Sequence, residues 1–120
     1  MDNKERSEIY RLHASFCKSL SDANRLLIIS ELSKGELPVN ELTHRLNLQQ
    51  SNVSKHLAFM RENGLVNTRR EGSSVYYRLS DPKIYEAINL LISVQSQVLE
   101  KKRKLSESNT EFITKISREA

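Results

Sequence analysis

The sequence predicts a mainly α fold with a β-hairpin, a winged helix-turn-helix, on three observations. Apolar residues recur at helical spacing through residues 4–63 and again beyond residue 81. Between these stretches the period drops to two, over Leu65–Arg70 and Val75–Leu79. Glycine and proline are scarce, 3 and 2 in 120 residues, which disfavours a turn-rich all-β fold. The length suits one domain with a real core. The predicted order is α-α-α-α-β-β-α followed by a C-terminal helical tail.

Residues 4–20 make the first helix, with Ile9, Leu12, Phe16 and Leu20 in one stripe. The second spans 22–34: Ser21 or Asp22 can cap its start, and Gly35 offers a left-handed end. Its Leu26–Ile29 run is apolar most of the way round and belongs at the centre of the core. Pro38 suits the first turn of a short third helix with the stripe Val39, Leu42 and Leu46. The fourth runs from about Gln50 to Asn63, with Val53, Leu57 and Met60 inward and Gly64 at its end. Residues 38–63 thus read as a helix-turn-helix whose turn is Asn47–Gln49. Residues 65–79 read as a wing that turns at Glu71–Ser74; in its second strand Val75, Tyr77 and Leu79 share one face, Tyr76 and Arg78 the other.

Asp81-Pro82 starts a long helix expected to end near Lys104. Its stripe is Ile84, Ile88, Leu91 and Val98, widened by Ile92, Val94 and Leu99. That is more apolar surface than one small core can cover, so the helices at 4–20 and 81–104 are expected to pair with a second copy. Residues 105–120 form the tail, with the weaker stripe Leu105, Phe112 and Ile116. The cations Lys101-Lys102-Arg103-Lys104 fit a solvated helix end, where they suit the helix dipole.

The net charge of +4 is unevenly spread: residues 1–48 sum to 0, 49–78 to +3, 79–99 to −1 and 100–120 to +2. A basic internal block is what a polyanion partner needs. No apolar run is longer than Leu26–Ile29, which is far short of a membrane span, and residues 1–20 are charged throughout with no secretory stretch. With one cysteine, Cys17, no internal disulfide can form, and a cytoplasmic protein with no membrane association is expected. No phosphate-binding glycine loop or HExxH pattern occurs, and Ser51 and His56 lack an acid partner. No catalytic residue and no cofactor is assigned.

The exposed face of the fourth helix is expected to carry Gln50, Ser51, Asn52, Ser54, Lys55 and His56. Such side chains suit the major groove of double-stranded DNA: Asn and Gln pair with adenine, Ser donates or accepts, and Lys reaches guanine or phosphate. Backbone amides at the same helix end attract phosphate. Arg69, Arg70 and Arg78 around the Gly72-Ser73-Ser74 tip can hold the DNA backbone or enter the minor groove. The same arginines also fit an ordinary solvated strand.

Residues 16–91 resemble the ArsR/SmtB family of winged-helix repressors, through FCKSLSDANRLLIISEL (16–32), LNLQQSNVSKHLAFMRENGLV (46–66) and TRREGSSVYYRLSDP (68–82). The resemblance implies a homodimer built on the first and fifth helices, with two recognition helices on a pseudo-palindromic operator. Half-sites would lie one helical turn apart, about 34–36 Å. It also implies a repressor that leaves DNA when an inducer binds. Gln49 departs from the Ser many members have at the start of the recognition helix.

The family's familiar metal sites are not matched, so no metal ligand is assigned. Pro38 and Asn40 stand where the third-helix site has two cysteines. Of the fifth-helix ligands only Asp81 remains; Lys83, Val94 and Gln97 fill the other positions. His13 and Cys17 are four apart and share a helix face. They fit packing at the edge of the Leu12–Phe16–Leu20 stripe; alternatives are a shared metal or a redox thiol at Cys17. His44 fits a place in solvent beside the DNA. The inducer is unknown. An alternative to the repressor is a protein-interaction module on the same scaffold, with weak DNA binding.

Overall fold

Aspartates start the first two helices. The computed structural model describes residues 1–119. α1 (Asn3–Ser19) begins at Asp2, whose carboxylate accepts from the Glu5 N–H at 2.8 Å. α2 (Ala23–Leu32) begins at Asp22 rather than Ser21, and Asp22 Oδ1 accepts from the Arg25 N–H at 3.1 Å. α2 stops at Leu32 with Ser33 as its C-cap, so Gly35 lies beyond the helix end instead of capping it. Only half of the Leu26–Ile29 run meets the expectation: Ile28 and Ile29 are fully buried, but Leu26 and Leu27 are partly exposed.

A strand absent from the sequence prediction follows. β1 (Leu37–Pro38) pairs antiparallel with the second wing strand, Leu37 opposite Tyr77 and Pro38 opposite Tyr76. Pro38 therefore ends a strand and is the N-cap of α3 (Val39–Leu46), one step before the first turn. α4 spans Gln50–Glu62, and β2 (Val66–Glu71) and β3 (Ser74–Leu79) complete a three-stranded sheet of order β1-β3-β2. The hairpin turn is shorter than expected, with Glu71 opposite Ser74. Gly72 takes φ +59°, the left-handed backbone that a two-residue hairpin turn demands at its first position.

The chain divides into two compact units, one ending at Tyr85 and one beginning at Glu86. In the first, Ile28, Ile29, Leu32, Leu42, Val53, Leu57, Met60, Leu65 and Val66 form the core. α1 leaves Ile9, Tyr10 and Leu12 exposed. α5 (Lys83–Glu119) crosses the unit boundary as one 37-residue helix, about 55 Å long. Asp81 caps it as expected, Oδ1 accepting from the Lys83 N–H at 2.8 Å.

The predicted stop near Lys104 is therefore corrected. No Gly or Pro interrupts residues 83–119, and Arg103 pairs with Glu100 at 2.6 Å and Glu107 at 3.9 Å across that point. The run Lys101–Lys104 lies mid-helix, so the helix-end dipole does not explain it. In the second unit Leu91, Val98, Leu105 and Phe112 are exposed. No helix among the described residues is long and apolar enough to cross a membrane.

Candidate nucleic-acid interface

The helix-turn-helix is held from both sides. Arg45 of α3 reaches Glu31 of α2 at 3.7 Å and Glu41 at 3.5 Å, which ties the first helix of the motif to the core. Asn47 then takes the left-handed conformation, φ +53°, and the Leu48 N–H donates to the Thr43 carbonyl at 3.3 Å. Asn tolerates this backbone better than most residues, so the turn follows from the sequence. Gln49 is the N-cap of α4 and makes no side-chain cap bond. The first intrahelical bond is Val53 N–H to Gln49 carbonyl, 3.1 Å, so the amides of Gln50, Ser51 and Asn52 precede the ladder and can meet an anion.

Gln50, Ser51, Ser54 and Lys55 are exposed and Asn52 is half-buried, in agreement with the expected polar face. His56 does not join them. Its side chain is only 15% exposed and is turned toward α2, with Nε2 3.7 Å from Asp22 Oδ1 and Nδ1 3.5 Å from the Arg25 guanidinium. The reason is periodicity: His56 sits three residues after Val53 and four before Met60, on the buried side of α4. The backbone N–H of Arg25 holds the Asp22 carboxyl below the usual carboxylate range.

The end of α4 fixes the base of the wing. Gly64, φ +75°, lets the Leu65 N–H turn back to the Met60 carbonyl at 2.8 Å. Ser80 then closes the hairpin: its N–H donates to the Leu65 carbonyl at 2.9 Å and its hydroxyl to the Gly64 carbonyl at 2.7 Å.

The three wing arginines do not share one face of the hairpin. The register sets Arg69 opposite Tyr76 and Asn67 opposite Arg78, whereas Arg70 lies opposite Val75 on the other face. Arg69 is not a free cation. Its Nε donates to Glu36 at 3.1 Å, its NH1 donates to Glu71 at 2.8 Å, and its guanidinium lies 4.8 Å from the Tyr76 ring centre. Glu36, and then Glu71, raise the Arg69 pKa, and the Arg69 hydrogen bond lowers that of Glu36. Sequence reasoning missed Glu36, which reaches the wing only because β1 pairs with β3. Arg70 and Arg78 are exposed.

Cys17 also departs from expectation. It is exposed rather than packed into the α1 stripe, with Sγ 3.4 Å from His13 Nε2. His44 is exposed, as expected. Among the described residues no three His, Cys, Asp or Glu side chains gather as they would to hold a metal ion.

Residues 22–68, the span from the α2 cap into the wing, match the profile of the bacterial regulatory protein, arsR family. Over 74 residues the chain is 46% identical to the transcriptional activator HlyU of Vibrio cholerae, covering 62% of this chain and 68% of that protein. The chain belongs to the ArsR family. Solved structures agree: reduced HlyU from V. cholerae superposes with a TM-score of 0.67 at 38% identity, over 76% of this chain and 96% of that one. The transcriptional repressor BigR from Xylella fastidiosa gives 0.67 at 31% identity, over 78% and 96%. A homodimeric winged helix-turn-helix domain from Mycobacterium bovis gives 0.70 at 25% identity, over 81% and 90%. As an ArsR-family chain it is a DNA-binding transcription regulator and not an enzyme.

Proposed function

We propose that this ArsR-family chain is a cytoplasmic homodimeric repressor on a pseudo-palindromic operator. Gln50, Ser51, Asn52, Ser54 and Lys55 would read bases and phosphates, and Arg70 and Arg78 would hold the backbone through the wing. The observation that carries this reading is the polar face of α4, exposed at a helix start with no side-chain cap. The homodimeric M. bovis neighbour supports pairing, and the exposed apolar residues of α1 and α5 supply surfaces for it. The name of BigR supports repression, while that of HlyU points to activation, so the sign of regulation needs its own test. The sensing step would not use the family's usual metal positions, which hold Pro38, Asn40, Lys83, Val94 and Gln97.

The test begins with selection of preferred duplexes from a random pool, followed by fluorescence anisotropy on the selected and a scrambled duplex. Tight, salt-sensitive binding to the selected duplex is expected. Asn52→Ala should cost about 1–3 kcal/mol at the base it reads and spare scrambled DNA. Equal losses on both duplexes would remove Asn52 from base reading. Repression is then read from a reporter placed behind the selected site: expression rising on deletion of the chain supports a repressor, falling expression an activator.

A further inference from the structure

We infer that Arg25 and His56 are positioning residues, a clamp between α2 and α4 that sets the aim of the recognition helix and that a proton on His56 opens. This rests on the reading of α4 as the element that contacts bases. Three elements meet at one guanidinium. Arg25 Nε donates to the carbonyl of Ser19, the last residue of α1, at 2.7 Å. Its NH1 donates to His56 Nδ1 at 3.5 Å, and its plane lies 4.5 Å from the Phe59 ring centre on α4. Its own backbone N–H is held by Asp22.

A guanidinium has donors and no acceptor, so the Arg25 contact requires a bare His56 Nδ1, with the ring proton on Nε2. That proton faces Asp22 Oδ1, 3.7 Å away. In that tautomer the ring bridges a cation on one side and a carboxylate on the other. Asn52, one turn before His56, and Lys55, next to it, are on the reading face, so a small rotation at His56 moves both.

A second proton lands on Nδ1, the atom that Arg25 uses. The hydrogen bond is lost and two cations stand about 3.5 Å apart, while the pull of Asp22 on Nε2 grows. The ring is drawn to Asp22 and the guanidinium is displaced. Among the described residues, Asp22 and Arg25 are the only charged groups in hydrogen-bond or ion-pair contact with the ring. α3 and β2, which also pack on α4, bring none to it. Acidification should therefore weaken specific binding, the reverse of what an imidazolium touching phosphate would do.

Two measurements decide it. In the free, full-length chain, an NMR titration from pH 8 to 5 should show the Asn52 and Lys55 amides shifting along with the His56 ring. Arg25→Lys, which keeps the charge but loses the fork, should uncouple them. Amides that ignore the ring would overturn the clamp without any DNA present. On the selected duplex, His56→Leu should lose about tenfold or more, with the salt slope unchanged and scrambled DNA bound as before. His56→Asn, whose Oδ1 can replace Nδ1 as acceptor, should restore most of that loss and abolish the pH dependence of the specific-to-scrambled ratio. A loss shared by both duplexes with a salt slope reduced by about 1 would make His56 a phosphate contact and overturn the inference. If the wild type prefers no duplex, the base-reading role of α4 fails, and the NMR titration still judges the clamp.

Discussion

Val53, Leu57 and Met60 of α4 are fully buried, whereas Leu91, Val98, Leu105 and Phe112 of α5 are 46–70% exposed. Both stripes obey helical periodicity, and the α5 set recurs every seven residues, the spacing of a supercoiled seam. The contrast teaches that periodicity identifies an apolar face but not its cover. In α4 the cover comes from the same chain, through α2, α3 and the wing. In α5 it is left for another surface, and the proposed homodimer supplies one. An apolar face in water costs roughly 25 cal/mol for each Å² left exposed.

Substitutions can test the two faces separately. The largest effect is expected in the covered face: Leu57→Ala should lower unfolding free energy by about 2–5 kcal/mol, read from urea denaturation. A loss well below 1 kcal/mol would mean that α4 is not packed as described. Next comes the uncovered face. Leu91→Glu with Val98→Glu should convert the proposed dimer to monomer in sedimentation velocity and weaken binding to the selected duplex by about 100-fold, because two half-sites then bind independently. A dimer that survives both charges would move the interface elsewhere.

Smaller effects sit where α4 meets the wing. A Cβ on Gly64 would meet nothing within 4 Å, but φ is +75°, so Gly64→Ala should cost about 1–2 kcal/mol from backbone strain alone. The smallest expected effect is a titration. The folded-state pKa of Glu36 is lowered by Arg69, so its contribution is full above the usual glutamate value near 4.3 and is lost as pH falls through the lowered folded value. Glu36→Gln should flatten that part of the acid limb in urea midpoints measured from pH 6 to 3. An unchanged limb would show the pair to be fully screened.

The helices, the helix-turn-helix and the wing were legible because each writes a local period. β1 was not: two residues carry no period, and only pairing with Tyr76 and Tyr77 makes them a strand. The inward turn of His56 was legible in principle, since it falls on the Val53–Met60 side, but its polarity directed it to the DNA face. The same holds for the wing, where strict alternation separates Arg70 from Arg69 and Arg78. Cys17 could not be placed from its neighbours, because apolar flanks do not say whether a helix face is covered. The length of α5 is hidden at Lys101–Lys104, where a charge run suits a helix end although nothing there breaks a helix.

β1 has one more consequence. It is the open margin of the sheet, two residues long, and Pro38 has no N–H to offer an incoming strand. The opposite margin, β2, carries Arg69, Arg70 and Glu71 along its outer half. Neither margin invites a further strand. The sheet is thereby guarded against edge-to-edge aggregation, which leaves the helical faces as the surfaces through which the proposed homodimer would form.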